Sequence, residues 1–134
     1  MTLFFDTSAV IACVIEGPNR SIVHSNLDQD EHWCASNLAL AEALALVPRL
    51  TDEAVLQDDI EDAIRLLWDR LAIVPVDQAC LGRAAAIARD QPIRVGNAIH
   101  LAAAERLVRP IRFMTFDPAQ IPVALSLGFD VISP

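Results

Sequence analysis

The 134-residue chain has no lysine; all ten of its basic residues are arginine. That absence removes a Walker-type phosphate loop, Schiff-base chemistry and lysine-assisted phospho-aspartate chemistry. Cysteine is scarce. Cys13, Cys34 and Cys80 are odd in number and lack CxxC spacing, so they read as small apolar core residues in a reducing cytoplasm. His24, His32 and His100 show no zinc-ligand spacing either. No apolar run approaches the ~18 residues of a membrane span. The opening stretch "MTLFFDTSAVIACVIEG" has no basic start and carries Asp6 in its middle. It reads as a buried strand entering a helix rather than as a secretory signal. Surplus positive charge is also missing. A formal net charge of −8 argues against a passive nucleic-acid-binding surface, yet does not exclude an enzyme that places metal ions over clustered acids.

Apolar residues are what the chain has in excess: 54% of the total, with a mean hydropathy of +0.38. A chain of this length forms one domain, residues 1–134, around a single sizeable core. The apolar surplus points to an interface, as in a homodimer or a co-folded partner.

Along the chain, short apolar runs alternate with helical patterns. "TLFF" (2–5), "HWCAS" (32–36), "AIVPV" (72–76), "IRFMT" (111–115) and "FDVIS" (129–133) read as strands. Between them, Thr7 or Ser8 caps a helix to about Ile15, which Gly17-Pro18 ends, and a second helix spans about Arg20 to Leu27. Ser36 or Asn37 caps a helix that Pro48 stops or kinks. Residues 51–71 are amphipathic, with Leu56, Ile60, Ile64, Leu67, Trp68 and Leu71 on one side. Asp77 caps an Ala-rich helix to about Arg89, another helix runs from Ala98 to Val108, and "PAQIPVALSL" precedes Gly128. The alternation implies an α/β fold: a three-layer α/β/α sandwich with a mostly parallel central sheet.

Three acids fall where such a fold gathers ligands. Asp6 ends the first strand and Asp117 follows "IRFMT" by two residues, so both face the carboxyl edge of the sheet. Each also has a simple capping role open to it, Asp117 with Pro118 at the first helical position. Glu42 cannot cap, because it lies in mid-helix within "LALAEALALV". It either forms a buried salt bridge with an arginine or points at a site. Carboxylates meeting at one edge repel, and burial raises their pKa values. A divalent cation with oxygen ligands, Mg²⁺ or Mn²⁺, relieves both costs.

Four blocks, "FFDTSAVIA", "LALAEAL", "RVGNAIHLAAA" and "MTFDPAQ", resemble in order and spacing the signature of the PIN-domain family. In size and coverage the chain is similar to a VapC-type toxin of a bacterial type II toxin–antitoxin pair. The resemblance implies a Mg²⁺- or Mn²⁺-dependent endoribonuclease that hydrolyses RNA phosphodiesters, with Asp6, Glu42 and Asp117 in the pocket. It makes Thr7, Ser8 and Thr115 neighbouring hydroxyls that hold the acids or a metal-bound water. It also implies a VapB-type antitoxin that covers the pocket, a single-stranded or looped RNA substrate, and a cytoplasmic homodimer.

One position departs from the family pattern. Where the family usually has aspartate, this chain has Asn97, whose amide oxygen still ligates a metal but brings no charge. Asn97 also reads as an ordinary N-cap for the helix from Ala98. The departure is either natural, leaving a weakened nuclease or a catalytically silent module that binds an antitoxin or dimerises, or an inactivating replacement. His100, one turn on, reads as a packed or surface histidine ahead of a catalytic one. Arg94 meets either a phosphate or an acid such as Asp90. Arg106, Arg109 and Arg112 form a local basic lip, or, for Arg106 and Arg109, simply a solvated helix end. A phosphatase or receiver-type site around Asp6 wants a second acid close by and a lysine; position 8 is Ser8.

Overall fold

The computed structural model describes residues 1–134. In chain order the elements are β1 (Thr2–Phe5), α1 (Thr7–Val14), α2 (Pro18–Leu27), β2 (His32–Ser36), α3 (Leu38–Leu50) and α4 (Ala54–Arg70). They continue with β3 (Ala72–Val74), α5 (Gln78–Asp90), α6 (Val95–Glu105), β4 (Ile111–Met114), α7 (Ile121–Ser126) and β5 (Asp130–Ile132). The five strands form one sheet in the order β3-β2-β1-β4-β5. All four pairings are parallel, so the sheet is wholly rather than mostly parallel.

Strand alternation sends side chains to two separate cores. Leu3 and Phe5 of β1, Ala35 of β2 and Met114 of β4 pack under α1, α3 and α4. Phe4, Cys34, Ile111 and Phe113 face the other way, under α5, α6 and α7. Phe113 stacks between Phe4 and Phe129 there, at centroid distances of 5.5 and 5.7 Å. Both faces of the sheet are therefore covered, the α/β/α arrangement the alternation implies. Cys13, Cys34 and Cys80 are free and buried, as core residues should be. No helix is long and apolar enough to cross a membrane.

Several boundaries differ from those the sequence suggests, each for a local reason. Pro18 starts α2 at N1, two residues before Arg20, because its fixed φ suits the first helical turn. Gly17 precedes it at φ 150°, a conformation open to glycine. Pro75 ends β3 at Val74 instead of Val76. Neither Ser36 nor Asn37 caps α3 with its side chain; Asn37 Oδ1 accepts from the Val76 N–H instead, at 3.0 Å. Pro48 lies within α3, which continues to Leu50. That helix is not buried all round: Ala39, Ala43 and Val47 form its buried stripe, with Glu42 half-buried beside them. The apolar stripe of α4 is buried at Ile64 and Leu67 but leaves Leu56 exposed.

Two shifts matter for function. α6 begins at Val95, so Asn97 sits inside the first turn and is not its N-cap. α7 begins only at Ile121, and Asp117 instead closes a turn in which its Oδ1 accepts from the Ala119 N–H at 3.0 Å. The expected capping roles of Asp6 and Asp77 are realised, by bonds of 2.9 Å from Ala9 N and Cys80 N respectively.

Candidate active site

From β1 the chain steps outward to β2 and β3, then returns to the other flank of β1 through β4. The order reverses between β1 and β4, and such a switch point opens a crevice beyond the strand ends. Asp6 leaves β1 there, its backbone N–H bonding to Met114 O of β4 at 3.3 Å. Thr115 and Asp117 leave β4 alongside it. From the flanking helices, α1 brings Thr7 and Ser8, α3 brings Glu42 and α6 brings Asn97. Of these residues, all except Thr115 line one pocket of about 350 Å³, together with Ala45, Leu46, Arg49 and Arg94.

Asp6 is 2% exposed and fully engaged by donors. Ser8 Oγ donates to its Oδ1 at 2.6 Å, the Ala9 N–H caps the same oxygen, and Thr115 Oγ1 donates to Oδ2. Burial nonetheless raises its pKa above the ordinary carboxylate value, against the pull of those hydrogen bonds and the more distant His100. Ser8 also braces the backbone: its Oγ accepts the Phe116 N–H at 2.8 Å, tying the β4 exit to α1. Thr115, itself fully buried, supports Asp6 from behind the pocket.

Glu42 behaves differently. Its Oε1 accepts from Thr7 Oγ1 and from His100 Nε2, both at 2.6 Å. The His100 hydrogen bond is the main reason its pKa is lowered, with Thr7 and the charge of Arg94 helping against desolvation. The sequence-based expectation that burial raises these carboxylates thus holds for Asp6 and fails for Glu42. His100 is 1% exposed, and its other nitrogen, Nδ1, meets Ser36 Oγ at 3.0 Å. The remaining oxygen, Oε2, lies 3.3 Å from where a side chain at Gly96 would begin. No guanidinium pairs with Glu42, so a salt bridge to arginine is not what holds it.

Asn97 and Asp117 meet directly: Asn97 Nδ2 donates to Asp117 Oδ2 at 2.9 Å. An aspartate at 97 would put two carboxylates in contact there. The amide removes that repulsion and one negative charge.

The arginines sort out clearly. Arg106 pairs with Asp77 at 2.7 Å. Arg109 donates to the Gly128 and Leu127 carbonyls and lies over Phe129. Arg112 pairs with the buried Asp30. These three are consumed in three different places, so the basic lip does not exist. Arg94 bonds to neither Asp90 nor a pocket acid and lines the pocket instead. Arg49 lines it too, a residue that sequence reasoning missed, although its spacing of seven residues from Glu42 puts both on one helix face. His100 was legible as a candidate from its place one turn after Asn97, but its hold on Glu42 was not.

The donor set consists of carboxylate, amide and hydroxyl oxygens, the hard ligands that Mg²⁺ and Mn²⁺ take. No three His, Cys, Asp or Glu side chains of the protein lie close enough together to hold a metal ion by themselves. The buried Asp6, which has hydrogen-bond donors but no ion-pair partner, is where a positive ion would be most stabilising.

Structural comparison places the fold among toxin–antitoxin proteins. VapBC2 of Rickettsia felis, bound to a promoter DNA fragment, superposes with a TM-score of 0.69 at 13% identity, covering 100% of this chain and 98% of that one. FitAcB from Neisseria gonorrhoeae gives 0.68 at 19% identity, over 98% and 95% of the two chains. VapBC-5 of Mycobacterium tuberculosis, from the VapBC family of toxin–antitoxin systems, gives 0.65 at 16%, over 98% and 96%. No curated protein shows significant similarity to the sequence. The family model described as PIN domain matches residues 3–124, nearly the whole of the α/β/α unit and every pocket residue. The chain belongs to the PIN domain family.

Proposed function

We propose that this chain is a VapC-type toxin, a Mg²⁺- or Mn²⁺-dependent endoribonuclease. In this reading residues 1–134 act as one domain, held in check in the cytoplasm by a VapB-type antitoxin and working as a homodimer. The observation that carries the reading is the convergence of Asp6, Glu42 and Asp117, distant in sequence, on the pocket at the sheet's switch point. Family membership and the toxin–antitoxin neighbours support it.

Asp6, Asp117, Asn97 through its amide oxygen, and Glu42 would hold the ion. When bound, it supplies Lewis-acid polarisation of the phosphodiester and of the attacking water. Ser8 and Thr115 fix the Asp6 carboxylate so that it faces the pocket in one orientation. Glu42, kept ionised by His100 and Thr7, provides a fixed negative wall to the pocket. Arg94 meets the substrate phosphate, whose charge an acidic pocket otherwise repels.

The direct contact between Asn97 and Asp117 favours a second reading, a silent module that binds antitoxin or dimerises without turnover. One experiment separates the two. RNA cleavage with Mn²⁺ is measured for this chain and for Asn97→Asp, alongside calorimetric Mn²⁺ binding with Asp6→Ala as control. Cleavage by Asn97→Asp, with Mn²⁺ binding that Asp6→Ala abolishes, supports the nuclease. If neither form cleaves and neither binds Mn²⁺, the nuclease reading falls.

A further inference from the structure

In a chain of net charge −8, each guanidinium without an acidic partner stands out. Of the ten arginines, Arg20, Arg65, Arg83, Arg106 and Arg112 are in ion pairs. Arg70 lies over Trp33, and Arg109 is spent on carbonyls and Phe129. Only Arg49, Arg89 and Arg94 make no side-chain contact of these kinds, and two of them, Arg49 and Arg94, line the acidic pocket. Holding two exposed, unpaired cations beside three carboxylates without pairing them leaves both free for an anion from outside.

Their placement has a scale. α3 presents Glu42, Ala45, Leu46 and Arg49 to the pocket, the i, i+3, i+4, i+7 face of one helix. Seven residues at 1.5 Å each place the backbone positions of Glu42 and Arg49 about 10 Å apart along the helix axis. Between them lies a short apolar step, Ala45 and Leu46. Arg94 belongs to the acid end, close enough for its charge to act on Glu42.

We propose that Arg49 and Arg94 form a two-point phosphate clamp that reads single-stranded nucleic acid along α3. Arg94 takes the phosphate at the acids, Arg49 takes a neighbouring phosphate one or two nucleotides away, and Ala45 and Leu46 contact the intervening ribose and base. Only a strand whose bases are splayed out, as in single-stranded or looped RNA, can lay a ribose and base on the apolar step, so such a strand suits the groove better than a duplex does. Guanidinium groups suit such a clamp through bidentate contact with phosphate oxygens. The clamp rests on the nuclease reading and adds to it a requirement for substrate length.

The test is equilibrium binding of a phosphorothioate-linked RNA hexamer, single-stranded or in a duplex, and of a mononucleotide, in Mn²⁺ and at several salt concentrations. Arg49→Ala should weaken binding of the single-stranded hexamer about tenfold and lower its salt slope by about 0.7, the loss of one phosphate contact. Arg49→Lys should recover the slope but not the full affinity. Mononucleotide and Mn²⁺ affinities should be unchanged by either, and Arg89→Ala, outside the pocket, should change nothing. The clamp is overturned if Arg49→Ala matches Arg89→Ala, if mononucleotide binding falls equally, or if duplex binds as well as single strand. Mn²⁺ binding together with RNA cleavage by Asn97→Asp reports on the nuclease reading separately, since Arg49 is intact in that variant.

Discussion

A single oxygen of Glu42, Oε1, accepts hydrogen bonds from Thr7 Oγ1 and His100 Nε2, each at 2.6 Å. A carboxylate has no proton to give, so His100 must carry one on Nε2, and the Ser36 hydroxyl can then donate to Nδ1. Removing the ring in His100→Ala opens a cavity and orphans Ser36, which should cost about 2–4 kcal/mol in urea unfolding. Glu42 should titrate closer to its ordinary value, followed by carboxyl NMR. Its lowered pKa now contributes stability that is complete above 4.5, the ordinary value, and is lost as pH falls through the lowered one. The variant should lose that part of the acid limb. An unshifted Glu42 in His100→Ala would show that the imidazole is not the cause.

Asp6 carries the opposite sign. Its pKa lies above 3.8 because burial outweighs its hydrogen bonds. Its contribution to the metal-free fold is therefore complete below 3.8 and lost as pH rises through the raised value. Metal binding needs the ionised form, so Mn²⁺ affinity should rise over the same window. Thr115→Val deletes one of the hydrogen bonds that favour the anion, worth about tenfold for a charged acceptor. Calorimetry should find Mn²⁺ affinity reduced more strongly at pH 5 than at pH 8. A loss equal at both would mean that Thr115 acts only on packing.

Asn97→Asp should make the protein depend on metal for stability. It replaces the 2.9 Å amide bond to Asp117 with two facing carboxylates, a change of about 1–3 kcal/mol at pH 7 in chelator. The deficit should shrink in acid as one carboxyl takes a proton. Added Mn²⁺ should raise the thermal midpoint of Asn97→Asp more than that of the Asn97 chain. Equal stability in chelator would leave the contact without energetic weight.

Alternating apolar runs determined the parallel α/β/α architecture, because strand and helix periods are local properties of the chain. The strand ends that carry Asp6 and Asp117 followed from the same pattern. So did the two capping aspartates, whose hydrogen bonds reach only three residues along the backbone. Helix starts were less legible: Asn97 looked like a cap because a Gly-Asn pair suits one, whereas the helix begins at Val95 after an extended Arg94.

Tertiary structure alone decided the charge state of the site. Whether Glu42 is raised or lowered depends on His100, fifty-eight residues away, and on a Ser36 that local sequence marked as a helix cap. The fate of each arginine was equally non-local: Arg106, Arg109 and Arg112 found partners on three other segments, while Arg49 and Arg94 found none. Hydrogen bonds and Coulomb interactions act over a few ångströms of space, and only the folded chain determines which residues come within that range.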